Sequence, residues 1–270
     1  MKRIRKYKEK LNKVGKNTKK STLIVYAVLR ILVIICMILK FLRGDLNNAF
    51  LCMLSLILLL MPFFIEDKLK IDLPDTLQIL IMLFIFAADI LGEINNFYHI
   101  FPYWDSILHT INGFLAAGVG FALFDLLNKN VEEIKLSPVF LCLISFCFSM
   151  TIGVLWEFFE YQADTTLHID MQKDSIVSRI NTVTLDETNS NKVISINDID
   201  ETIITHKDKT GNVVETKIDG YLDIGLIDTM NDLKVNLIGA VIFNIFGYLY
   251  VLNRDKYKFI SSFLPKKLEL

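Results

Sequence analysis

The chain has 270 residues, 53% of them hydrophobic, and a formal net charge of −1 from 29 basic and 30 acidic side chains. The apolar residues fall in long runs separated by short polar stretches, and most runs lack the polar face that a helix of a water-soluble domain carries. This excludes an ordinary soluble protein, and the near-neutral total hides two basic ends.

Residues 1–21, MKRIRKYKEKLNKVGKNTKK and one more, form a basic N-terminal tail. Beside a membrane span such a tail reads as a cytoplasmic anchor that touches anionic lipid, and no nucleic-acid partner is expected. The first apolar run, about 22–42, is too long for a signal-peptide core and no small-residue cleavage site follows it, so it is expected to stay as a span. Further runs cover roughly 47–65, 77–95, 105–127 and 138–161, and the last covers 232–252. Each is near the ~20 residues that cross a ~30 Å hydrocarbon layer.

Orientation follows from lysine and arginine. The loops EDKLKIDLPDT and NKNVEEIKLSP carry lysines, whereas INNFYHIFPYW carries none. Basic loops stay in the cytoplasm. Both termini are therefore placed on the cytoplasmic side of the membrane, with Arg43 the one mild dissent. The fold class is an all-α polytopic membrane protein of about six transmembrane helices, spans 1–5 lying within 22–161, span 6 at 232–252, and a basic cytoplasmic tail at 253–270.

Residues 162–231 break the pattern, being rich in Asp, Thr, Asn, Ile and Val. SRINTVTLDETNSNKVISIND and ETIITHKDKTGNVVETKIDG each hold two β-branched runs around a polar turn, the second at Lys209–Asn212. A small β-rich extracytoplasmic insertion between spans 5 and 6 is expected. His168 and His206 in or beside it read as surface residues. Cys36, Cys52, Cys142 and Cys147 fall in spans without metal-ligand spacing and read as packing residues.

The ionisable residues within the spans lie at helical spacings. Asp89 and Glu93 are four apart in span 3. Asp105, His109, Asn112 and Gly113 share a face of span 4. Trp156, Glu157, Glu160 and Asp164 end span 5, and Asp228, Asp232, Asn236 and Gly239 form one stripe at span 6. With the topology above, all four acidic ends face outward. Charge in lipid is costly, so the stripes are expected to face one another in a pocket. Asp105 and Asp232 near helix N-termini also read as dipole partners. Glu157, Glu160, Asp89 and Glu93 sit toward C-termini and need a positive partner, with Arg30 one candidate for Asp89.

One histidine among carboxylates and amides suits Mg²⁺, Mn²⁺, Ca²⁺ or Zn²⁺; without a metal, crowded carboxylates share a proton. The expected ligands and acid–base groups are Asp105, His109, Glu157, Glu160 and Asp232. Asn112, Trp156, Asp164, Asp228 and Asn236 are the expected substrate contacts. No cofactor beyond a metal ion is expected.

Tyr98, Pro102, Tyr103, Trp104, Asp105, His109 and Gly113, then Trp156-Glu157-Phe-Phe-Glu160-Tyr161 with Asp164, then Asp228 to Asp232 with Asn236, Gly239 and Ala240, resemble the pattern of the YjdF-type bacterial inner-membrane proteins, a family of unknown function. A looser similarity links Asp105/His109, Glu157 and Asp232/Asn236/Gly239 to VanZ-like membrane proteins, with Glu160 where those carry Gln. That similarity implies a role at the cell envelope. The combined expectation is an outward-facing His/carboxylate site acting on a lipid or lipid-linked envelope substrate as hydrolase or transferase, the alternative being a carrier or an envelope-binding and resistance factor.

Overall fold

The computed structural model describes residues 20–69, 71–130 and 136–267. The basic stretch 1–19 and part of the NKNVEEIKLSP loop therefore lie outside the described residues. Among the described residues, six helices are long and apolar enough to cross a membrane: Lys20–Leu42, Leu46–Lys68, Asp75–Ile94, Trp104–Asn128, Pro138–Leu167 and Leu226–Leu252. The chain divides into two units, Val154–Asn231 and the remainder.

In the larger unit, α1 (Lys20–Leu42) packs on α2 (Leu46–Leu58). Asp45 begins α2 by accepting the backbone N–H of Asn48, which satisfies one of the donors a helix start leaves over. That start holds the Asp45 carboxyl below its ordinary value, the Asn48 side-chain amide being the largest cause. The second span is interrupted at Leu59–Leu60 and resumes as α3 (Met61–Leu69). A short strand β1 (Ile71–Asp72) leads to α4 (Asp75–Ile85), which opens into a π-helix over Phe86–Ile94. The wider turn is a departure from the regular α-helical stripe expected there. The indole N–H of Trp104 donates to the carbonyl of Ala87 at 3.3 Å, inside that π segment. Leu29, Val33, Cys52, Leu59, Met82, Ile85, Ile90 and Ile94 form the core of these first spans.

After the single turn α5 (Phe97–Ile100) come α6 (Trp104–Asn130), α7 (Pro138–Leu167) and, beyond the insertion, α8 (Leu226–Leu252). Ala117, Phe121, Ala122, Leu141, Ala240, Phe243 and Tyr250 make a second core. Two buried serines tie α7 to α6: Ser145 Oγ donates to Ala117 O and Ser149 Oγ to Gly113 O, both at 2.8 Å. In lipid, where apolar contact alone gives no hydrophobic drive, such bonds and small residues hold helices together.

The C-terminal segment is no free tail over its described length. Arg254 makes a two-pronged ion pair with buried Asp125, at 2.7 and 3.2 Å, and its guanidinium lies 4.9 Å from the Tyr250 ring centroid. A 3-10 turn, Lys258–Phe263, follows; Ile260 and Leu264 are buried in the second core. Strand β8 (Lys266–Lys267) pairs antiparallel with β1.

The smaller unit carries β2 (Ile176–Val177), β3 (Ile180–Thr182), β4 (Ile194–Ile196), β5 (Thr202–Lys207), β6 (Val213–Ile218) and β7 (Tyr221–Leu222). They form antiparallel pairs β2–β7, β3–β4 and β5–β6. Both expected hairpins are present. Asp186 builds the β3–β4 connection by accepting from Thr188 and Ser190 and from the Lys192 backbone. Asp208 does the same for Thr210 and Asn212 between β5 and β6.

Candidate functional site

Asp105 and His109 stand one turn apart on α6, so their side chains project from one face. Asp232 comes to the same place from α8. His109 Nε2 is 3.7 Å from Asp105 Oδ1 and 3.7 Å from Asp232 Oδ2. The three offer one ligand atom each, all within 4.8 Å of one another. Exposure falls across the group: the Asp105 side chain is 34% exposed, His109 10% and Asp232 4%. Asp105 therefore marks the open side and Asp232 the closed one.

Backbone contact between α6 and α8 makes this meeting possible. A β-carbon at Gly113 would lie 2.1 Å from the backbone oxygen of Asn236, and one at Gly239 would lie 2.0 Å from that of Thr110. Each glycine thus admits the backbone of the other helix. Asn112 Nδ2 donates to Asn236 Oδ1 at 3.2 Å across the same crossing. Asn236 is fully buried; its Nδ2 donates to Ser149 O on α7 at 3.4 Å and rests against Gly153. The Asn236 amide thus links α8 to both α6 and α7.

Ser145, Ser149 and Gly153 escaped the sequence reading. They repeat every four residues, the small-residue stripe by which membrane helices approach. The signal was there but was read as apolar span.

Glu157 and Glu160 are buried on α7, and Glu160 accepts from the Trp156 indole at 2.9 Å. Trp156 is otherwise exposed. Asp164 accepts the backbone N–H groups of Met171 and Gln172, and Asp228 that of Lys173, so both hold the first loop of the insertion in place. His206 is exposed on β5 with Nε2 2.9 Å from Thr216 Oγ1.

Asp89 lies elsewhere. Its Oδ2 accepts from buried Ser55 of α2 at 2.8 Å, within the first-span packing. Arg30, offered as its partner, instead meets the Tyr26 hydroxyl one turn away and stacks over that ring at 5.3 Å. An intrahelical phenol within reach relieves the guanidinium locally, and the hydroxyl of Ser55 takes the carboxylate.

Fold and site together define a polytopic membrane protein of six spans with a buried histidine–carboxylate group between two of its helices. The chain belongs to the family described as predicted membrane protein (DUF2238), whose model matches residues 23–253. It is similar to an uncharacterized protein of Thermotoga maritima, 26% identical over 106 residues, which are 39% of this chain. The match spans 53% of that relative's length. No solved structure matches the chain.

Proposed function

We propose that Asp105, His109 and Asp232 bind a divalent metal ion, and that the protein is a hydrolase or transferase acting on a lipid or lipid-linked envelope substrate. The observation that supports this most is the placement of His109 Nε2 at 3.7 Å from two carboxylate oxygens on two helices. That spacing exceeds a hydrogen bond. It is close to the ~3.3 Å between ligand atoms that tetrahedral coordination at ~2.0–2.1 Å requires. One imidazole with carboxylates suits Zn²⁺, Mn²⁺ or Mg²⁺.

His109 serves as metal ligand or as general acid or base toward a leaving group or water. Asn112 and Asn236 fix the helix spacing beneath the ligands. A divalent ion, when bound, supplies Lewis-acid polarisation of a carbonyl or phosphoryl oxygen. The lysine and arginine pattern supports a cytoplasmic-membrane protein with both termini inside and the site near the outer leaflet. A lipid-linked substrate suits a polar group reached from within the membrane boundary.

The test is metal content of protein purified without chelator, beside His109→Ala and Asp232→Asn. One ion per chain in the parent and loss of it in folded variants supports the reading; turnover of lipid-linked phosphates and esters is then assayed. No ion in any form sinks it and leaves a carrier or binding factor. A carrier needs polar groups through the full depth. Against that stand the apolar side chains of Ala117, Phe121, Ala240 and Phe243 farther along α6 and α8.

A further inference from the structure

We infer that the C-terminal segment Lys258–Leu264 is a re-entrant plug that closes the Asp125 end of the bundle, so that the polar group at His109 opens only at the Trp104 end. The inference rests on the foregoing reading for the identity of the site, but on separate residues for the closure.

The segment is anchored at both ends. Arg254 is clamped on Asp125, which is 4% exposed, and Lys266–Lys267 pair with Ile71–Asp72. Between the anchors the chain turns inward. Ile260 is 0% exposed and Leu264 5%, both in the core with Ala117, Phe121 and Phe243. The backbone oxygen of Phe263 comes within 3.4 Å of where a β-carbon at Gly118 would stand. Gly118 precedes Asp125 by seven residues, so the segment reaches about 10 Å along α6 from the ion pair. Phe263 goes further by its side chain, meeting Phe114 edge-on at 5.4 Å between ring centroids. Phe114 also meets Phe243 edge-on at 5.2 Å. Phe114 is only five residues past His109.

The order along α6 is thus the ligand group at Asp105 and His109, the amide pair at Asn112, the three rings at Phe114, and the plug. Phe114 and Phe243 belong to transmembrane helices, but Phe263, Ile260 and Leu264 do not. A chain that ended at Asn253 would lack the packing that Ile260, Phe263 and Leu264 give these rings and their core. These three buried or half-buried apolar side chains serve no anchoring purpose that the Arg254 clamp and the β1–β8 pair do not already meet. Filling the bundle is what they accomplish. A cavity of about 130 Å³ beside the plug, lined by Asp125, Tyr250, Ser261, Pro265 and Lys266 among others, gives the segment a polar margin at its outer edge.

The experiment uses the full chain in sealed vesicles with its four cysteines replaced and one reporter introduced, Ala117→Cys. A charged, membrane-impermeant thiol reagent is applied to the Asp125 side. Lys256→Cys serves as the exposed reference. In the full chain the reporter is expected to react at least 100-fold more slowly than the reference. It should become reactive, within 10-fold of the reference, in Ile260→Ser/Phe263→Ser/Leu264→Ser. Circular dichroism and elution volume establish that this variant is folded; if it is not, Phe263→Ala alone is used, with an expected rise of 10-fold or more. A reporter as reactive as the reference in the full chain, or unreactive after either change in a folded protein, overturns the plug. Reactivity is read without added metal, so its failure leaves the metal assay untouched, and an ion-free protein leaves the plug untouched.

Discussion

Asn112 and Asn236 meet amide to amide at 3.2 Å across α6 and α8, one turn past the histidine and one turn past Asp232 respectively. The bond fixes the register in which His109 and Asp232 face each other, because a one-residue slip turns either side chain by about 100°. Asn236→Leu removes it together with the bond to Ser149 O. Membrane hydrogen bonds are worth about 0.6 kcal/mol each and up to about 1.7. The variant should therefore lose about 1–2 kcal/mol in a reversible unfolding titration in detergent–lipid micelles. Unchanged stability would mean that the crossing is held by backbone packing alone.

The glycine contacts make a sharper prediction. Gly113→Ala and Gly239→Ala each place a methyl about 2 Å from a backbone atom that cannot swing away. Each should cost about 1–3 kcal/mol by overpacking. At Gly118 the nearest atom lies farther off, at 3.1 Å, and belongs to the Phe243 side chain rather than to a backbone. Gly118→Ala should cost clearly less than the other two in the same titration. Equal costs at all three positions would contradict the close crossing.

Removing the cation from Arg254 takes a two-pronged ion pair away from buried Asp125. Breaking a buried pair costs about 3–5 kcal/mol. Arg254 is itself 36% exposed, so the low end, about 3 kcal/mol, is expected for Arg254→Gln. Asp125→Asn added to it should restore part of the loss, since the charge left behind is then gone. Proteolysis of the C-terminal segment, faster in the single variant than in the double, is the second readout.

The β3–β4 connection should respond to acid. The hydroxyl of Thr188, then the N–H of Lys192 and further backbone N–H groups, hold the Asp186 carboxyl well below its ordinary value of 3.8. A depressed carboxyl contributes stability that is complete above the unfolded value and is lost as pH falls through the folded one. Amide exchange at Thr188, Ser190 and Lys192 should therefore be flat from neutral pH down to about 4 after correction for its intrinsic pH dependence, and rise below that. Asp186→Asn should exchange fast at every pH. A rise already near pH 6 would point to another group.

Six long apolar runs and their lysine-rich loops were legible in the sequence, because a span must be apolar along its whole length and backbone bonds close within each helix. The two hairpins were legible too: β-branched runs around Asp- and Asn-rich turns carry their own instruction. So was the presence of a histidine–carboxylate group on particular helix faces, since a period of 3.6 residues is a local property. What the periodicity left open was which stripes face one another. Asp89 was grouped with the others and turned to Ser55; Arg30 was offered to it and went to Tyr26. The type of Asn236 suited either a substrate contact or a bond between helices, and its neighbours Ser149 and Gly153 could not be read from its own stripe. The basic composition of 253–270 carried no sign that Ile260 and Leu264 reach the core. Each of these outcomes depends on which backbone comes within a few ångströms of which. The α6–α8 crossing is decided by Gly113 and Gly239 acting together from positions 126 residues apart, a distance over which no local pattern carries information. The sequence by itself determined the elements and the chemical character of their faces, through periodicity and the cost of charge in lipid. Only the tertiary structure decided the partners, because partner choice is a property of shape between helices, and shape is written in pairs of residues rather than in runs.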